Sequence, residues 1–141
     1  MAVFRSAKEL TSAFKKAHYK SLEEIAPKSL KQFRSEMRSM GIGNYRIESE
    51  TKYYAGGEYR LEKSMAIRDV GDYGFTLVFT KGGNISLFGD DRGTPAYVPF
   101  WVNEGKINGA SNSHKGFKEK IEVGVISDAQ SMYMKLIYKH I

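Results

Sequence analysis

Cysteine is absent from this 141-residue chain, which removes disulfides, thiolate nucleophiles and cysteine-ligated zinc from the chemistry open to it. A cysteine-free composition also fits synthesis in a reducing compartment. No apolar run approaches the length needed to cross a bilayer. The start, Met1-Ala2-Val3-Phe4-Arg5, turns polar and charged too soon for the apolar stretch of a signal peptide. The expectation is a soluble protein made in the cytoplasm, with no membrane partner. Histidine, the usual acid–base residue near neutral pH, occurs three times, at His18, His114 and His140. None has a carboxylate or second histidine at triad or ligand spacing, so each reads as an incidental polar residue.

What is present is ordinary for a globular protein of one domain: 41% hydrophobic and 27% charged residues. Aromatic residues are generous at 13%, as suits a sheet face or an interface. The net charge of +6 is unevenly spread. Up to Met40 there are nine basic residues against four acidic ones, so most of the excess sits in the first segment. Lys15, Lys16 and Lys20 are its candidate contacts to nucleic acid or to an acidic protein surface. A solvated outer helix face is the plainer reading of the same run.

Ser6-Ala7-Lys8-Glu9 has the form of a capping box. Apolar residues then recur near helical spacing at Leu10, Phe14, Ala17, Leu22 and Ile25, Pro27 interrupts, and Leu30, Phe33, Met37 and Met40 resume in a rotated phase. Residues 1–40 therefore read as two helices or one kinked helix, closed at Gly41-Ile42-Gly43. Beyond them, residues 44–102 read as sheet. Tyr45 to Lys52 alternates as a half-exposed strand, and Met65–Val70 and Phe75–Thr80 flank Gly71-Asp72-Tyr73-Gly74 as a hairpin. Ile85–Phe88 is a short strand, and Ala96–Val102 is an edge strand around Pro99. Residues 103–120 are polar and rich in Gly, Asn and Ser, the composition of a long loop, with Phe117 as an anchor. Ser127-Asp128 can cap a terminal helix over 127–141. The expected fold is one α+β domain over 1–141, a mostly antiparallel sheet of about four to six strands packed against the helices. Its expected core holds Phe14, Ile25, Phe33, Met37, Leu61, Ile67, Phe75, Leu77, Phe79, Leu87, Trp101 and Leu136.

No catalytic, metal-binding or cofactor-binding constellation can be read, so the expectation is a protein without catalysis or cofactor. Asp90-Asp91 lies in a glycine loop but lacks the alternating ligands and closing glutamate of a calcium loop. A hidden metal-dependent hydrolase would have to use carboxylates such as Asp90 or Glu104. Tyr97-Val98-Pro99-Phe100-Trp101 could be core, an interface anchor or a base-stacking strip.

Taken in order, two short steps carry a resemblance. The first is Gly57-Glu58-Tyr59-Arg60-Leu61-Glu62-Lys63-Ser64-Met65, leading into the hairpin; the second is Tyr97-Val98-Pro99-Phe100-Trp101-Val102-Asn103-Glu104-Gly105. With the basic helical start, they resemble the tail-completion (tail-to-head joining, or neck) proteins of long-tailed bacteriophages. Leu61 and Ser64 match the family's Thr-Gly-x-Leu-x-x-Ser-like step, although Gly57 stands two residues too far from Leu61 and the threonine is missing. Val102 and Gly105 match the later Tyr-x-x-x-Val-Glu-x-Gly-like step, with Asn103-Glu104 between them. The resemblance implies a structural virion protein without catalysis, made in the host cytoplasm. It would form a homo-oligomeric ring, usually sixfold, that joins the tail tube to the head connector, with DNA passing through the lumen. Its contacts would come from Trp101, Asn103, Glu104, Gly105, Lys106, His114 and Phe117. The alternative from another class is a small basic nucleic-acid-binding protein.

Overall fold

A computed structural model describes residues 3–41, 65–79, 103–107, 110–111 and 114–141. The described residues hold six elements: α1 (Ala7–Ser39), β1 (Met65–Gly71), β2 (Gly74–Phe79), β3 (Lys106–Ile107), β4 (Ala110–Ser111) and α2 (Phe117–His140). The α+β class expected from the sequence is the class observed, with antiparallel pairing of β1 with β2 and of β3 with β4. The expected strands at 45–52, 85–88 and 96–102 lie outside the described residues, as do Leu61, Leu87 and Trp101.

Helix α1 starts where the capping box places it: Ser6 Oγ accepts from the Glu9 amide at 3.1 Å, and the Glu9 carboxylate reaches back to the Arg5 amide at 3.3 Å. It is one helix of 33 residues that carries Pro27 inside it, which decides between the two expected readings in favour of a single helix. An internal proline costs a helix about 3 kcal/mol. Pro27 lies on the exposed side, and the neighbouring burial of Ile25, Ala26 and Ser29 offsets that cost. The buried seam of α1 is Ala17, Ser21, Ile25, Ser29, Phe33 and Met37, one residue every four positions, with Leu22 and Ala26 alongside. Such an i+4 row is a ridge that seats in a neighbouring groove. Phe14, expected in the core, stands 47% exposed above the end of this seam.

The hairpin forms as the sequence predicts. Met65 pairs with Phe79, Ile67 with Leu77 and Arg68 with Thr76, and a tight turn at Asp72-Tyr73 closes the ladder at Gly71–Gly74. Between the Arg68 and Gly71 pairs β1 has one residue more than β2, and the bulge places Asp69 at φ 54. Aspartate tolerates this left-handed conformation better than most residues.

Helix α2 begins ten residues before the expected cap at Ser127-Asp128, so the expected 103–120 loop ends at Gly116 and the expected 127–141 helix is Phe117–His140. Gly116 at the N-cap has no side chain to offer and takes φ 74. Asn103 caps from outside: its side-chain oxygen accepts from the Lys118 amide (3.0 Å), its Nδ2 donates to Glu119 Oε1 (3.2 Å), and its carbonyl accepts from the Gly116 amide (2.7 Å).

The core lies where α1, the hairpin and α2 meet. Phe33, Met37, Met65, Phe79, Phe117, Ile121 and Val125 form one buried cluster. Phe79 stands edge-on between Phe33 and Phe117, with ring centroids 6.4 and 6.3 Å away. Ile67, Phe75, Leu77 and Leu136 are only half-buried.

Candidate functional site

Both the hairpin and α2 pack on α1, and they leave an open groove of about 870 Å³ between them. Leu22, Ile25 and Phe33 of α1 form its floor. Phe75 and Leu77 of β2 form one wall, Val125, Ile126 and Met134 of α2 the other. An apolar, partly open cleft of this kind suits a nonpolar segment better than a charged substrate.

A polar clasp fixes one end of the groove. His18 Nε2 lies 3.0 Å from the Gly71 carbonyl, and Nδ1 lies 2.7 Å from the Tyr133 hydroxyl. A carbonyl can only accept, so Nε2 donates to Gly71, and with the proton on Nε2 alone Nδ1 accepts from the Tyr133 hydroxyl. The next residue, Tyr19, donates its hydroxyl to Asp72 Oδ1 at 2.6 Å and stands edge-on to the His18 ring. Two neighbouring residues of α1 thus hold two neighbouring residues of the hairpin tip. Both nitrogens of His18 are engaged in this contact, which makes the imidazole a clasp rather than a free base. A second histidine holds the far end of α2: His140 Nε2 is 3.1 Å from Glu24 Oε1 on α1.

The hydrogen bond to Asp72 raises the Tyr19 pKa above its ordinary 10.0, with desolvation and the nearby carboxylate charge adding to the effect. A raised folded-state pKa means that the contact stabilises fully below the unfolded value and is lost as pH rises through the folded value. Wild type and Tyr19→Phe should therefore differ in denaturation midpoint at neutral pH and converge as pH climbs past 10.0. Parallel curves over that range would remove Tyr19 from the clasp.

The residues singled out in the sequence fall in different places. Lys15, Lys16 and Lys20 are exposed on α1. Asn103 caps α2 and Glu104 is exposed. Gly105 has φ +86 and leaves only 3.1 Å between an added Cβ and Lys115 Cβ. Lys106 lies in β3, and His114 is half-buried just before α2, its carbonyl accepting from the Phe117 amide. Phe117 is fully buried in the core at the end of the loop, as an anchor would be, which corrects its expected role as a subunit contact: its ring is spent inside the fold. Trp101 and Asp90-Asp91 lie outside the described residues. Sequence reasoning missed the clasp, because His18 and Tyr133 are 115 positions apart and His18 and Gly71 are 53 apart.

Among the described residues no group of three or more His, Asp or Glu side chains could hold a metal ion, and no helix is long and apolar enough to cross a membrane. No protein-family model, curated protein or solved structure matches this chain.

Proposed function

We propose that this chain is a structural ring subunit, a tail-completion protein that joins a phage tail tube to the head connector and resides in the virion neck. The observation that carries the assembly reading is the two-sidedness of α2. Phe117, Ile121, Val125 and Ile137 are buried within the subunit, yet Val123 (73% exposed), Ile126, Met134 and Tyr138 (77%) face outward. A helix apolar on both sides is suited to burying a second face. Val123, Ser127, Gln130, Met134 and Tyr138 follow at steps of four, three, four and four, an exposed stripe without a single charge. Gln130 and Met134 also line the groove, so stripe and groove form one continuous apolar border.

In a ring this border meets a different surface of the next subunit, because ring contacts are head-to-tail. The segment between Asn103 and Gly116 sits at the start of the same helix and extends the contact. The resemblance in element order and in the Leu61/Ser64 and Val102/Gly105 steps supplies the identity of the ring.

The test is the double substitution Met134→Glu/Tyr138→Glu. Both side chains are exposed, so the subunit should keep its circular dichroism and thermal midpoint. Joining of tails to heads should fail. Normal joining by the folded variant would remove α2 from the interface and with it the basis of the reading.

A further inference from the structure

We propose that α1 carries a separate surface that docks on the phosphate backbone of a nucleic-acid duplex, independently of the ring reading. Lys8, Ser12, Lys16 and Lys20 follow one another every four residues, so they form a single row along the exposed side of α1, and Lys15 stands beside it. Ser12, Lys15, Lys16, Tyr19 and Lys20 border one shallow depression of about 250 Å³, which Glu23 closes. At about 1.5 Å per residue the row from Lys8 to Lys20 is about 18 Å long. A row of that length can reach several phosphates of one strand of a duplex.

Among the described residues nothing uses the charges of this row. Among the described residues Lys8, Lys15, Lys16 and Lys20 make no ion pair. Two of the neighbouring acids are engaged elsewhere, and Glu23 stands exposed at the far end of the row beside Lys20. Glu9 receives the Arg5 amide in the helix cap, and Asp72 receives the Tyr19 hydroxyl. No acidic residue occurs from Leu10 to Leu22. Four unpaired ammonium groups on one straight element are complementary to a regular line of phosphates.

The choice of a duplex over a single strand follows from Tyr19. Single-strand binders need aromatic faces on which bases stack. Among the described residues, the one aromatic ring bordering this depression is held by Asp72 and by an edge-on contact with His18 at 5.2 Å. Along this depression the described residues offer charges to phosphates and no free ring to a base.

The test is fluorescence anisotropy of a labelled DNA duplex titrated with the full chain at several salt concentrations. With three or four phosphates neutralised, the logarithm of the binding constant should fall with the logarithm of salt at a slope of about −3 to −4. Lys16→Glu/Lys20→Glu should weaken binding at least about tenfold at low salt, while Lys16→Arg/Lys20→Arg retains it. Lys28→Glu/Lys31→Glu makes the same change of net charge at other exposed sites of α1 and should leave most of the affinity. The Met134→Glu/Tyr138→Glu protein should bind DNA through an unchanged lysine row, which separates this test from that of the ring. Absence of binding at low salt, equal loss in the Lys28/Lys31 variant, or tighter binding of a single strand of the same length would each overturn the proposal.

Discussion

Replacing Phe79 with alanine should destabilise the protein by about 3–5 kcal/mol, the range for deleting a fully buried phenyl ring. Phe79 is 1% exposed and belongs to β2, yet its ring stands edge-on to Phe33 of α1 and to Phe117 of α2. It is therefore the point at which all three main elements meet, and its loss opens a cavity that none of them can close alone. Domains of this size are held by only about 5–15 kcal/mol, so the substitution should remove a large fraction of the total. The denaturant midpoint should drop while the slope of the transition stays constant. Phe79→Leu, which keeps most of the volume, should recover more than half of the loss. A midpoint shift in Phe79→Ala no larger than that of an exposed substitution such as Tyr73→Ala would show that the hairpin base is not part of the core.

His18→Ala is the second large effect, at about 1–3 kcal/mol, because it leaves two partners behind it rather than one. The Gly71 carbonyl loses its donor, and the Tyr133 hydroxyl loses its acceptor, both in part-buried surroundings. Here the loss should be local as well as global. Backbone amides of the hairpin should exchange faster with solvent in the variant, and those of the first turn of α1 should be unchanged. His18→Asn, which retains one donor and one acceptor, should restore part of the protection. Equal exchange in wild type and His18→Ala would mean that the hairpin tip holds itself in place.

The parts of the fold that were legible in the sequence are those whose signals are local. The Ser6–Glu9 box caps a helix within four residues, and the hairpin turn at Asp72-Tyr73 is flanked by its own strands. The parts that were not legible depend on residues far apart in the chain. The seam of α1 runs through Ser21 and Ser29, which read as polar. Ser21 hides its hydroxyl on the Ala17 carbonyl at 2.7 Å, and Ser29 Oγ is buried without a partner. Hydrophobic periodicity therefore placed the stripe through Leu10 and Phe14, which are exposed. Pro27 leaves one helix and two equally open in the sequence, and burial of the flanking seam decides for one. The start of α2 was placed at Ser127-Asp128 because those residues carry a cap signal, whereas the true cap is supplied from Asn103. The clasp shows the same limit: His18 looked incidental because its partners sit 53 and 115 positions away.

The way Asn103 closes the start of α2 also bears on how this region can change over generations. Its carbonyl and side-chain oxygen fasten Gly116 and Lys118, so the chain between them forms a loop pinched at its base. Residues added to such a loop need not disturb either anchored end. Doubling the length of a flexible loop costs only about 0.6 kcal/mol, a small amount beside what the Phe33–Phe79–Phe117 cluster supplies. As far as the subunit's own fold is concerned, residues can be added outside the β3–β4 pair in this stretch while the helices on which it rests stay fixed. Relatives of this chain would be expected to vary most in length there, with an asparagine or aspartate kept at the position of Asn103.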